Sequence, residues 1–276
     1  MTDKGTSISF TIQDVGALLL ANLSVGIYNA EAVLREYVQN ACDAYQAMPI
    51  TPAGAAVKIS IEDPTTIAIQ DQGVGMDLAD VRDSIKIAVS PKRSADFAGF
   101  RGIGIWAGLT ACKRLEIISK KAGHDHRYRL QLDFDRILAD VRKNIDIGQL
   151  INGRIRYFED LEERGKHYTR VRLIDLNSGY RQLANPDELK RIVSQLLPCR
   201  PSPTFTHANR LVDFYASLPT YCDYSILVNN DEVFKDFPND VGDFKEEKLS
   251  HSGTELARVW YSSGTSSLST EGHQTR

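Results

Sequence analysis

The sequence predicts an α+β fold, with helices packed on an antiparallel or mixed β-sheet. Three observations predict it. Residues 30–48 repeat their apolar side chains at helical spacing. Several other stretches alternate apolar and polar residues at the two-residue period of strands. The order is helix, hairpin, excursion, helix and then a run of strands, which lacks the regular strand–helix alternation of a doubly wound sheet.

Local chemistry sets the limits of each element. A helix is expected from Ala30 to Met48, closed by Pro49, with Leu34, Val38, Ala41 and Tyr45 facing the core. Val57–Ile61 and Thr66–Gln70 alternate as strands around an Asp63-Pro64 turn. Residues 77–101 are polar and mixed, with Pro91, Lys92 and Arg93 near the middle, and are expected to form a mobile excursion around a short helix. A glycine-rich turn at 99–108 then leads into another helix. Strands follow at Leu115–Ser119, Tyr128–Phe134, Ile155–Phe158 and Thr169–Leu176. His124-Asp125-His126, beside Gly123, reads as a solvated hairpin turn, because a metal site would need further ligands.

A helix near Pro186–Leu197 and the segment Pro198–Pro203 mark a boundary. Beyond it, Tyr224–Val228, Asn229-Asn230-Asp231 and Glu232–Phe234 read as a hairpin opening another domain. The expected division is a domain at 1–205, part of a second at 206–261, and a disordered Ser/Thr/Gly-rich tail at 262–276.

Composition narrows the function. The chain has 276 residues, 42% hydrophobic and 25% charged, with a net charge of −3. That balance opposes a dominant nucleic-acid or membrane footprint, although a local basic patch can hide inside it. The apolar run Val15–Leu23 is too short to span a bilayer and lacks the flanks of a secretory signal. Cys42, Cys112, Cys199 and Cys222 are too scattered for a zinc knuckle or redox motif, so a reducing, cytoplasmic setting is expected, with no membrane partner.

Four segments carry chemistry. Glu36, Asn40 and Asp43 fall at i, i+4 and i+7 on one line of the first helix. Taken alone, that line is a polar face turned to water. Asp71-Gln-Gly73-Val-Gly75-Met76 follows a strand directly. It is either a turn or an acidic acceptor at a sheet edge, with glycines admitting a flat base. Gly99-Phe-Arg101-Gly102-Ile103-Gly104-Ile105 precedes a helix and exposes backbone N–H groups to an anion. Its Gly-x-Gly-x-x-Ala match is not a dinucleotide fingerprint, because a charged, Pro-containing segment stands where a strand is needed. Finally, Thr169 opens an alternating strand.

In this order the four segments resemble the N, G1, G2 and G3 boxes of the GHKL superfamily, which includes gyrase, the ninety-kilodalton heat-shock chaperones, histidine kinases and MutL. Leu34–Ala44 is similar to the chaperone helix almost position by position, the likeness spans about residues 8–175, and Ser225–Val233 resembles the start of a transducer or middle domain, the part expected at 206–261. MORC-like ATPases are a second similar group. The resemblance implies the Bergerat fold, a two-layer sandwich of helices on a mixed sheet, binding ATP with Mg2+. It assigns Asp71 to the adenine amino group and Gly75, Met76 and Ala44 to the base pocket, and counts Asp43 and Gly73 among the nucleotide-binding residues. Asn40 falls to magnesium, Glu36 to the attacking water, and the amides of Gly102, Ile103, Gly104 and Ile105 to the phosphates, with Arg101 also counted among the nucleotide-binding residues. Lys92 belongs to a lid at about 77–101, and Thr169 reaches the adenine through a water.

A glutamate at position 36 implies hydrolysis, since the histidine kinases carry Asn or His there. The family's catalytic Lys or Arg from a second domain is not identified, so slow turnover is expected. The implied partners are ATP and ADP, a second copy in an ATP-dependent dimer, and a protein client or DNA engaged through other domains. The alternatives are a histidine kinase core and a non-hydrolysing nucleotide switch.

Overall fold

The computed structural model describes residues 20, 28–87, 104–141, 143, 145–218, 221–238 and 241–264. The first described helix, α1 (Ala30–Gln46), starts where the Asn29 side chain accepts from Ala32 N at 2.8 Å. It ends two residues before the expected Met48, with Ala47 as its cap. Leu34, Val38, Ala41 and Tyr45 are all buried, together with Val33, Tyr37 and Cys42. Burying each large apolar side chain contributes on the order of 1.5–3 kcal/mol, so this stripe fixes the helix on the sheet.

Among the described residues the sheet has eight strands: β1 (Ala56–Asp63), β2 (Thr66–Asp71), β3 (Cys112–Lys120), β4 (His126–Asp133), β5 (Ile155–Leu161), β6 (Tyr168–Leu176), β7 (Ser225–Val228) and β8 (Asp231–Glu232). Their spatial order is β5-β4-β3-β6-β2-β1-β7-β8. The β1–β7 pair is parallel and every other pair is antiparallel, so the sheet is mixed. Ile59, Ile69, Leu173, Leu115 and Leu132 of this sheet are buried in the core that also holds α1. Asp63 closes the first hairpin by accepting from Thr65 N at 2.7 Å. The β3–β4 hairpin turns at Gly123 (φ 82), with His124 and Asp125 exposed as expected for a solvated turn.

The shorter helices are α2 (Leu78–Ser84), α3 (Phe134–Asp140), α4 (Ile147–Ile151), α5 (Pro186–Leu196) and α6 (Ala208–Ala216). Asp77 and Asp80 form a capping box at the start of α2, and Asn185 with Pro186 starts α5. Lys121 in the β3–β4 turn holds both Asp77 (2.8 Å) and Asp80 (2.7 Å), fastening α2 to the sheet.

Two expectations change. The glycine-rich turn leads into a six-residue 3-10 helix, Gly104–Leu109, and not into an α-helix. Only Thr110 and Ala111 separate it from β3, which leaves no length for a long helix. The hairpin expected to open another domain instead completes the large sheet. Its turn carries Asn229 (φ 49) and Asn230 (φ 74), the left-handed pair that a two-residue hairpin favours. Ile226 and Val228 then join the main core because β7 lies parallel to β1. A separate apolar cluster gathers Phe205, Leu211, Phe214, Phe237 and Phe244, with Trp260 packed against it. Trp260 belongs to the second sheet, β9 (Lys245–His251) paired with β10 (Thr254–Tyr261). Residues 265–276, most of the expected tail, lie outside the described residues, as do 88–101 of the expected lid.

Candidate functional site

Glu36 and Asn40 are half-buried and Asp43 is only 2% exposed, so the polar line of α1 does not face open solvent. The start of the 3-10 helix passes beside Glu36 and Asn40. A Cβ placed on Gly104 would lie 3.1 Å from Glu36 Oε2 and 3.4 Å from Asn40 Nδ2. The backbone of the glycine turn therefore runs directly past the carboxylate and the amide. Any side chain at position 104 would press on them. Asp43 is engaged by Gln39 Nε2 at 3.0 Å.

Tyr37 sets that approach. Its hydroxyl donates to Ile105 O (2.7 Å) and accepts from Gly108 N (2.9 Å), bridging the ends of the turn from the core side of α1. Burial raises its pKa well above the ordinary phenol value, so it stays a neutral donor. A Cβ on Gly108 would meet the same hydroxyl at 2.5 Å, so glycine is what allows the bond. Trp106 Nε1 donates to Ile85 O at 3.3 Å, joining the turn to the end of α2.

The other end of the site is built around Asp71, the last residue of β2 and 4% exposed. Its carboxylate accepts from Gly73 N at 2.8 Å. Burial pushes the carboxyl up to about 7, against the opposing pull of that N–H. The register sets Asp71 opposite Thr169 and Thr169 opposite Ser119, one row across three strands. Ser119 Oγ lies 2.8 Å from Thr169 Oγ1 and accepts from Met76 N at 2.8 Å.

The loop between Asp71 and Met76 is pinned from several sides. Tyr45 hydroxyl accepts from Gln72 N and donates to Ala56 O, both at 2.9 Å. His167 Nδ1 lies 2.8 Å from Gly73 O, and Val74 N donates to Ala44 O at 3.2 Å. A Cβ on Gly73 would fall 2.5 Å from Ala44 Cβ. Gly75 has φ +66, and its Cβ would sit 1.9 Å from Lys120 O. Both glycines are dictated by close approach, the second also by a left-handed backbone.

The structure thus assembles Glu36, Asn40 and Gly104 at one end, with Ile105 in the same turn. Asp71, Gly73, Gly75, Met76, Ala44 and Thr169 gather at the other. Lys92, Arg101, Gly102 and Ile103 lie outside the described residues. Tyr37, Ser119 and His167 carry no functional mark in the sequence. Tyr37 sits among the helix's apolar residues, Ser119 ends an apolar strand, and His167 precedes one. An apolar groove of about 240 Å³ between α2 and β4–β5, lined by Leu78, Val81, Ile85, Leu130 and Tyr157, holds none of these residues.

The backbone N–H groups of a glycine turn suit an anion, the carboxylate and amide beside it suit the water and hydrated cation that accompany one, and a buried acid beside two hydroxyls suits a flat hydrogen-bonding base. Among the described residues no three His, Cys, Asp or Glu side chains gather to hold a metal ion. A divalent cation would therefore rely on the Asn40 oxygen with phosphate and water, a donor set that fits magnesium. The four cysteines are free thiols. No helix among the described residues is long and apolar enough to cross a membrane.

Comparison with known proteins bears on this geometry. The profile of the histidine kinase-, DNA gyrase B- and HSP90-like ATPases matches residues 28–169. Chaperone protein HtpG of Roseobacter denitrificans is 26% identical over 153 residues, 46% of this chain and 25% of that protein. HtpG of a Sulfurovum species is 25% identical over 144 residues, 44% of this chain and 23% of the relative. HtpG of Treponema denticola is 26% identical over 129 residues, 38% and 20% respectively. The matched stretch spans about a quarter of the length of these relatives or less.

Proposed function

Because the chain belongs to the histidine kinase-, DNA gyrase B- and HSP90-like ATPases, we propose that it binds magnesium-bound ATP and hydrolyses it slowly. The observation that carries this reading is the passage of Gly104 within 3.1 Å, as a Cβ would measure it, of the Glu36 carboxylate. In a family whose members include kinases, a base at that point favours water over a protein acceptor.

In this reading Glu36 orients the attacking water and takes its proton. Asn40 offers its side-chain oxygen to magnesium, which when bound supplies charge neutralisation on the phosphates. The amides at Gly104 and Ile105, continuing from Arg101, Gly102 and Ile103, hold the phosphates as turn donors. Asp71 accepts from the adenine amino group, with Thr169 and Ser119 beside it, while Gly73, Gly75, Met76, Ala44 and Asp43 shape the base end. Lys92 approaches the phosphates on a lid. ATP closes the lid and favours pairing of two copies, in a chaperone-like or MORC-like machine that acts on a protein client or DNA. A cytoplasmic setting suits its free thiols.

Phosphate release by Glu36→Ala against the parent tests the assignment. Turnover should fall at least a hundredfold while ATP affinity survives, because the carboxylate acts on water and not on bound nucleotide. Equal rates would remove Glu36 as the base. Labelled-ATP autophosphorylation of the chain would point to a kinase core instead, and tight binding without turnover to a switch.

A further inference from the structure

The face of the large sheet turned away from α1 carries a different chemistry. Its register runs in one line from Phe158 (β5) through Arg129, Ile118, Arg170 and Gln70 to Lys58 (β1). One step along the strands, Arg156, Gln131, Glu116 and Arg172 form a parallel line. Glu62 bonds both Arg170 and Arg172, and Glu116 accepts from Arg172 (2.7 Å) and Gln131 (2.9 Å). Arg127–Asp160, Arg114–Asp175 and Arg136–Asp133 are separate pairs whose charges cancel.

Five cations (Lys58, Arg129, Arg156, Arg170 and Arg172) then face two carboxylates, Glu62 and Glu116, a surplus of three positive charges. The whole chain carries −3, so charge is segregated onto this face. Among the described residues, Lys58, Arg129 and Arg156 make no ion pair with a carboxylate. The guanidinium of Arg129 instead lies 4.5 Å from the centre of the Phe158 ring. That ring is 38% exposed at the sheet edge, and half-buried Ile118 continues the line.

An open sheet face that mixes cations with an exposed ring matches the needs of one ligand class. Single-stranded nucleic acids offer phosphates to the cations and π-faces to the ring. An acidic polypeptide would use the charges and leave Phe158 idle. Adjacent strands are about 4.8 Å apart, so Arg129, Arg170 and Lys58 recur about every 10 Å on a line about 24 Å long. That length accommodates about four nucleotides, the small end of known single-strand footprints.

We propose that the sheet face opposite α1 binds single-stranded nucleic acid, with Arg129, Arg170 and Lys58 on phosphates and Phe158 stacked on a base. The face is separate from the Glu36–Asp71 site, so the proposal stands whether or not ATP is hydrolysed.

The test is fluorescence anisotropy of the full chain with a fluorescein-labelled 20-mer of oligo-dT at low salt. Micromolar binding is expected, with a log–log salt slope near −2, the value for about three neutralised phosphates. Arg129→Glu combined with Lys58→Glu should weaken it at least tenfold, and Phe158→Ala about fivefold or more. ATP affinity should not move in either variant, and each should keep a single cooperative thermal transition, the loss of the Arg129–Phe158 contact lowering its midpoint by a few degrees at most. Absence of binding, or binding indifferent to both variants, would overturn the proposal. So would a labelled poly-glutamate peptide that binds as tightly as the oligonucleotide and ignores Phe158→Ala, an outcome that assigns the face to acidic polypeptides.

Discussion

Replacing Asp71 by Asn separates the cost of a buried acid from its use. The carboxyl rises from an ordinary value of 3.8 to about 7, with burial as the main cause. Between those values the folded protein holds a proton that the unfolded chain releases. Stability therefore falls as pH climbs from about 4 to about 7, and the loss is complete above that. The rise from 3.8 to about 7 corresponds to a loss of at most ~4 kcal/mol. An Asn oxygen can still accept from Gly73 N, 2.8 Å from the present carboxylate, without charging the interior. Asp71→Asn should thus be more stable than the parent at pH 8 and nearly equal at pH 4.5, by urea denaturation at each pH. The same variant should lose at least tenfold in ATP affinity, since a hydrogen bond to a charged acceptor contributes about 1.5–3 kcal/mol. In the parent, ATP affinity should rise from pH 6 to pH 8 as the acceptor ionises. A stability difference identical at both pH values would refute the reasoning, because it would mean that Asp71 is already ionised when folded.

Gly75→Ala should lower stability by about 2–4 kcal/mol in thermal or chemical denaturation, because it adds left-handed strain to a collision with Lys120 O at 1.9 Å. Tyr37→Phe removes the donor to Ile105 O and the acceptor from Gly108 N. Leaving those groups unpaired should cost about 1–3 kcal/mol, and turnover should fall further than ATP affinity as the turn drifts from Glu36. Asn40→Ala should abolish the magnesium dependence of ATP binding in calorimetry with and without the metal, while a magnesium-free nucleotide binds both proteins alike.

Much of the fold was legible because strands and helices announce themselves locally. The stripe Leu34, Val38, Ala41 and Tyr45 is buried as its spacing requires, and the four hairpin-forming strands between Val57 and Phe134 sit where alternation places them. Where local pattern ran out, it did so for identifiable reasons. Glycines between 99 and 108 are compatible with a helix start, but the nearness of β3 left room only for a 3-10 turn. The Asn229-Asn230 hairpin was recognisable as a hairpin, yet its partner β1 lies more than 160 residues earlier, and no local signal encodes parallel pairing at that distance.

The sequence by itself determined which residue types are available for chemistry: a carboxylate and an amide one helical turn apart, an acid before paired glycines, and a glycine-rich turn. Tertiary structure alone decided that Gly104 passes beside Glu36, that Tyr37 spans the turn, and that Ser119 completes the Asp71–Thr169 row. It also decided that arginines alternating along separate strands share one face, a charge concentration that a net value of −3 conceals. Spacing along a chain fixes only which side of an element a residue occupies; which elements then meet is set by burial of the apolar sides, and the polar constellations follow from that.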